Sequence, residues 1–224
     1  MHMQLTLASA SPRRRELLDL LELPFSVVAV EIVEVPHENE PPAEMVVRLS
    51  RAKAQAARAL LAHEGATIII ASDTVVALDG EALGKPQDSI EATRMLLRLR
   101  GRWHWVYSGL TLLHSVTGAE LSDLAATRVK MRDYSEEEIA AYVAGGDPMD
   151  KAGAYAIQHA GFHPVAEIEG SYANVMGLPL CHLARCLCQW GIEPQVEVAP
   201  ACQMYTRRLC RFHSDILAGQ PSGS

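Results

Sequence analysis

The chain has no cysteine before Cys181, and all five of its cysteines fall between Cys181 and Cys210. An odd number gathered in the last quarter does not form a secreted disulfide framework. Cys181, His182, Cys186 and Cys188 lack the paired spacing of a zinc site and sit in a mostly apolar run, so they read as small buried thiols. Surplus positive charge is missing too: 20 Lys and Arg stand against 27 Asp and Glu, a net of −7. That balance argues against a general nucleic-acid binder, which meets the phosphate backbone with a basic surface. Any positive charge that matters is therefore local. The opening residues, Met1-His2-Met3-Gln4-Leu5, carry no basic region followed by an apolar run, and no stretch is apolar for a bilayer's width. A cytoplasmic protein with no membrane partner is expected. Neither a P-loop nor a dinucleotide glycine fingerprint occurs, so this is not a standard NTPase or Rossmann chain.

What is present is ordinary globular material, 49% hydrophobic and 21% charged, with 224 residues for one large domain or two small lobes. Met3, Leu5 and Leu7 alternate as in a short strand and run into Ser9-Ala10-Ser11-Pro12. Proline suits the first position of a helix and serine the cap before it, so a helix over Arg13–Glu22 is predicted. Phe25–Val30 reads as a strand and Val35–Pro42 as a loop. The helix over Ala43–His63 has an apolar seam through Val46, Leu49, Ala56 and Leu60, with Lys53 on the same line. Thr67–Ala71 is continuously apolar, a strand buried on both faces that delivers Ser72-Asp73-Thr74 at its end before Val75–Leu78 continues extended to a turn at Asp79-Gly80.

Farther along, Asp88 and Glu91 are spaced as a capping box opening a helix to Arg100, and Ser135 and Glu138 open another that ends at Gly145-Gly146. Trp103–Leu113 and Glu120–Arg132 are two long strands, Pro164–Gly170 a shorter one, and Leu178–Trp190 the last helix. The pattern is α/β with a mixed sheet. A domain over 1–194 precedes a tail over 195–224 that has no clear period and whose closing Gly-Gln-Pro-Ser-Gly-Ser is expected to be disordered.

Five features carry chemistry. A helix N-terminus offers free N–H groups and the positive end of a dipole; Ser9 and Ser11 add hydroxyls, and Arg13 and Arg14 add charge-assisted contacts to an anion. Three arginines at a helix start oppose the dipole unless an anion compensates, though a capped surface helix with solvated arginines is the plain alternative. Asp73, at the carboxyl end of a buried strand, is placed to hold a cation or take a proton from water, or simply to close the strand as an Asx turn. Lys53, costly on an inward helix face without a partner, and Lys85, in a constrained Gly84-Lys85-Pro86, would offset charge on phosphate oxygens; each by itself also reads as an ordinary surface lysine. Glu34 could share a metal with Asp73. The loop Asp150-Lys151-Ala152-Gly153-Ala154-Tyr155-Ala156-Ile157-Gln158 ends in an amide whose donor and acceptor complement the N3–H and carbonyl of a uracil or thymine edge; it also reads as a polar turn leading into a strand.

Taken in order, Ser9-Ala10-Ser11-Pro12-Arg13-Arg14, Ser72-Asp73-Thr74, Gly84-Lys85-Pro86, Asp150-Lys151-Ala152-Gly153 and Gly177-Leu178-Pro179-Leu180 resemble the successive signatures of the Maf family of nucleoside triphosphate pyrophosphatases, over roughly residues 3 to 192. Glu34, Lys53 and Trp103-His104-Trp105-Val106 also fall where that family's pattern has them. The resemblance implies an α/β fold, an elongated mixed sheet flanked by helices with a deep cleft, similar to ITPases. It implies hydrolysis of the α–β phosphate link with a divalent cation, Mg or Mn, and a homodimer. Under it Asp73 is the proton acceptor or metal organiser, with Glu34 as its partner on the metal. Glu34, Lys53 and Lys85 surround the phosphates with Ser11 and Arg14, while Arg13, Thr74 and Gln158 match positions that set base preference. Arg13, Thr74 and Asp150-Lys151 resemble the dTTP/UTP branch; the 7-methyl-GTP branch has tryptophan after the Ser-Pro, glutamine after the aspartate and no Asp-Lys. Ser108-Gly109 departs mildly from a commoner threonine-glycine. A non-catalytic, nucleotide-sensing regulator of cell division is the reading from another class.

Overall fold

Leu5 and Leu7 do point into the core from β1 (Gln4–Ala8), and the chain then turns through Ser9-Ala10-Ser11 into α1 (Pro12–Asp19) and β2 (Phe25–Val28). A computed structural model describes residues 3–219. α2 (Pro42–Leu60) leads into β3 (Thr67–Leu78), and a turn at Asp79-Gly80 returns the chain as β4 (Glu81–Leu83), a short strand that sequence alone did not indicate. There follow α3 (Ser89–Leu99), β5 (Trp103–His114), β6 (Glu120–Met131) and α4 (Glu136–Ala144). After two 3₁₀ turns come β7 (Val165–Glu169), α5 (Tyr172–Met176), α6 (Leu180–Gln189), α7 (Val198–Thr206) and α8 (His213–Leu217).

The strands form one mixed sheet of seven, ordered β2-β1-β3-β5-β6-β7 with β4 beside β3. β1 runs parallel to both β2 and β3, and every other pairing is antiparallel. Because successive side chains on a strand face opposite ways, β3 divides its residues between two cores. Ile68 and Ile70 pack with α1, α6 and α7, whereas Ile69 and Ala71 pack against Ala54 and Ala57 of α2. A third cluster joins Val76, Val106 and Val129 to α3 and α4.

Three expectations need correction. Asp73 is not at a strand end: β3 runs unbroken through it into the expected extended Val75–Leu78, because antiparallel β5 pairs with it as far as Ala77 opposite Trp105. Its parallel neighbour β1 is the strand that stops, at Ala8. The seam of α2 continues from Lys53 through Ala54, Ala57 and Leu61, all buried, and leaves Leu60 63% exposed. At 3.6 residues per turn, the line from Lys53 leads to Ala57 and Leu61. The Asp88–Glu91 box closes one residue early: Asp88 accepts from the Glu91 N–H, but Glu91 accepts from Gln87. The Ser135–Glu138 box closes in both directions.

The segment after Pro194 has more structure than its composition indicates. α7 and α8 follow α6, which sequence alone marks as the last helix, with Val198 and Ile216 buried in the core that holds Leu17 and Leu187. The Tyr205 hydroxyl donates to Glu16 at 2.5 Å, and Arg185 donates to the Ile216 carbonyl at 2.5 Å. Beyond Gly219 the expected disorder concerns residues outside the described ones. Cys181 and Cys186 are buried free thiols, each pushed up to about 12 by burial.

Candidate active site

Where β1 stops and β3 continues, the sheet leaves a gap, and the α1 N-terminus, the loop before α2, the loop before β7 and the C-terminal end of α5 close around it. The result is a cavity of about 540 Å³. Its lining includes Ser9, Ser11, Arg13, Arg14, Glu34, Lys53, Asp73, Thr74, Lys85 and Gln158. These ten candidate residues thus border one space. The lining carries the cations Arg13, Arg14, Lys53, Lys85 and Lys151 against the carboxylates Glu34, Asp73 and Asp150. An acidic chain has concentrated positive charge here, as a polyanionic ligand requires.

The centre of the site is Lys53. Its ammonium donates to Asp73 Oδ1 at 2.5 Å and to Glu34 Oε1 at 2.6 Å. The helix and strand that carry Lys53 and Asp73 approach closely because of Gly109, opposite Asp73 in the β3–β5 ladder: a Cβ there would meet the Val46 carbonyl oxygen at 2.1 Å. Lys53 and Asp73 are only 8% and 6% exposed, so each supplies the partner that the other's burial demands. Glu34 is more open. Partial burial alone would raise its carboxyl, but the hydrogen bond and charge of Lys53, with Lys85 and Arg14 beyond, outweigh this and hold it below the ordinary range.

Arg14 is anchored from three sides. Its Nε donates to the Gly177 carbonyl at 2.8 Å, and its terminal nitrogens reach Ser9 Oγ at 3.5 Å and Thr74 Oγ1 at 3.3 Å. Burial lowers its guanidinium pKa, against the opposing pull of Asp73 and Glu34. The Gly177 carbonyl also accepts from Ser72 at 3.2 Å, so the α5–α6 junction orients the arginine. At φ +112° this position suits glycine. Gly177 was visible in the sequence only as part of a signature; its carbonyl's role depends on contact between segments far apart in the chain.

Ser11 occupies the N-cap of α1 but makes no capping bond, while Ser9 Oγ accepts from the Ser11 N–H at 3.2 Å. Arg13 lies 3.9 Å from Asp150, and Arg15 is exposed. Thr74 hydrogen-bonds Ser108 at 2.7 Å, on the face of β3 opposite Asp73. Lys151 is held internally, by Asp147 and Asp150. Lys85 and Gln158 are exposed at the cavity margin. Behind the wall, His104 Nε2 and the Tyr155 hydroxyl are 2.8 Å apart, an arrangement that secures the loop carrying Gln158.

A family model described as Maf-like protein matches residues 4–190. The chain belongs to the Maf family. Curated relatives include the dTTP/UTP pyrophosphatase of Moorella thermoacetica, 45% identical over 190 residues, which are 85% of this chain and 96% of that protein. That of Dictyoglomus turgidum is 44% identical over 192 residues, covering 85% of this chain and 98% of the relative. A solved dITP/XTP pyrophosphatase from Mycobacterium abscessus is 18% identical, covering 84% of this chain and 94% of that one, with a TM-score of 0.41. The Maf match ends before α7, so α7 and α8 lie outside the matched region.

Proposed function

We propose that this chain hydrolyses dTTP and UTP to the nucleoside monophosphate and pyrophosphate. The observation that carries the reading is Lys53, held between Asp73 and Glu34 inside a cation-lined cavity. The relatives named dTTP/UTP pyrophosphatase, aligned over nearly their whole length, support the same chemistry. In the proposed reaction a water oxygen bonds to the α-phosphorus and the bond from that phosphorus to the bridging oxygen breaks, so pyrophosphate leaves. Lys53 engages Asp73 Oδ1, which leaves Oδ2 to accept the water's proton. Arg14, Lys85 and the α1 N-terminus bind the phosphate oxygens, and Lys53 offsets the charge that develops as the bond breaks.

Asp73 and Glu34 fit a hard divalent cation, Mg or Mn, which commonly takes one or two carboxylates and completes its shell with phosphate and water oxygens. Among the described residues no cluster of three or more His, Cys, Asp or Glu is positioned to hold a metal without such help. When bound, the cation would supply charge neutralisation at the phosphates. Arg13, Thr74 and Gln158 support the pyrimidine preference over 7-methyl-GTP. No described helix is long and apolar enough to cross a membrane, and the free thiols support a reducing, cytoplasmic setting. A homodimer and a link to cell division arrest belong to the same proposal.

The test is a panel of standard and modified nucleoside triphosphates with Mg²⁺ or Mn²⁺, scored for pyrophosphate and repeated with EDTA. Pyrophosphate release from dTTP and UTP, lost with EDTA, is expected. Tight binding without turnover would favour the nucleotide-sensing regulator, and preference for 7-methyl-GTP the other branch.

A further inference from the structure

Among the described residues β7 is the last strand of the sheet, paired with β6 on one side only. A second cavity, of about 410 Å³, is bordered by all five of its residues, Val165 to Glu169. Consecutive side chains on a strand point to opposite faces, so a space that touches all five lies along the backbone edge. The free N–H and C=O groups of an edge strand are a template for another strand. The opposite wall comes from α7 and the loop after it, including Gln203, Arg208, Leu209 and Arg211, outside the residues matched by the family model.

The groove lining carries two carboxylates and two guanidinium groups, and they differ in whether they are paired. Glu167 and Glu169 are paired, with Lys130 at 2.8 Å and Arg128 at 2.8 Å. Arg208 and Arg211 are exposed and make no side-chain hydrogen bond or ion pair among the described residues. His163 and His213 border the same space, and Leu209 adds an apolar surface that is 91% exposed. We propose that this groove binds an extended acidic peptide from a partner protein, which joins the sheet as a strand beside β7. Backbone pairing supplies the affinity, and the two arginines select acidic side chains. The chain's own closing residues, Gln220-Pro221-Ser222-Gly223-Ser224, suit the groove poorly: they have no acidic side chain, and Pro221 lacks an N–H for the ladder.

The experiment titrates the full chain into a fluorescein-labelled hexapeptide of alternating glutamate and valine, followed by anisotropy. Saturable binding is expected, weakened about tenfold or more by Arg208→Glu with Arg211→Glu, surface changes that leave the fold intact by circular dichroism. The same peptide N-methylated at alternate residues should lose binding, because it cannot pair with the edge. Equal binding of a lysine–valine peptide, indifference to N-methylation, or no binding up to about 1 mM peptide overturns the proposal. Tighter binding by a chain shortened after Gly219 would identify the C-terminal segment as the natural occupant and overturn the partner. Sedimentation showing self-association that the arginine variants abolish would identify a second copy and overturn it likewise.

Discussion

Asp73 and Gly109 stand opposite one another in the β3–β5 ladder, and the missing side chain of Gly109 is what lets α2 bring Lys53 to Asp73. A Cβ at Gly109 would lie 2.1 Å from the Val46 carbonyl oxygen, a backbone atom with no flexible side chain to yield. Gly109→Ala is expected to push α2 off the sheet and to cost about 3 kcal/mol or more, the upper end for overpacking. Urea unfolding measures the loss, and turnover of folded protein should fall with it. An alanine variant as stable and active as the parent would refute this account of helix placement.

Asp73→Asn keeps the size of the side chain but removes the proton acceptor and the charge that faces Lys53. Pyrophosphate release from dTTP and UTP should fall on the order of a hundredfold or more, mainly in kcat. Lys53→Met should lower turnover similarly, and it should also destabilise the protein, because Asp73 is left buried without its cation. Near-equal turnover of Asp73→Asn sinks the catalytic assignment.

Gln158 lies at the cavity margin, away from the Lys53 centre, so its loss should leave the chemistry largely in place. The expected effect of Gln158→Ala is a loss of discrimination between pyrimidine and purine triphosphates, roughly tenfold, as for one lost base contact. Ratios of kcat/KM across the nucleotide panel check this; unchanged ratios count against base reading by the amide.

Acid should weaken the fold through His104. Burial lowers its imidazole from 6.5 to about 4, and its Nδ1 has no hydrogen-bond partner among the described residues. Between pH 6.5 and about 4 the unfolded chain binds this proton and the folded chain does not, so unfolding takes up a proton and stability falls as the pH falls. His182, also lowered to about 4, acts in the same direction. Urea unfolding of His104→Gln at pH 7 and pH 4.5 should show a smaller acid loss than the parent. An equal loss would remove His104 as a source.

Much of the fold was legible because its signals are local. The alternation in β1, the apolar run opening β3 and the box at Ser135 and Glu138 each lie within a few residues. What escaped depends on partners distant in the chain. Asp73 reads as closing a strand, yet pairing with β5 makes it mid-strand, and it borders the cavity because β1 stops early. α7 and α8 have no strong period of their own and form where Val198 and Ile216 find a core to enter.

The sequence by itself determined which residues carry charge and hydroxyl groups, and that Ser9 to Arg14 opens a helix whose N-terminus suits phosphate. It also marked Lys53 as an inward lysine that required a partner. Only the tertiary structure decided that the partners are Asp73 and Glu34, and that the Gly177 carbonyl aims Arg14. These are hydrogen bonds between segments up to 163 residues apart, formed only when helix and sheet packing brings their side chains within about 3 Å.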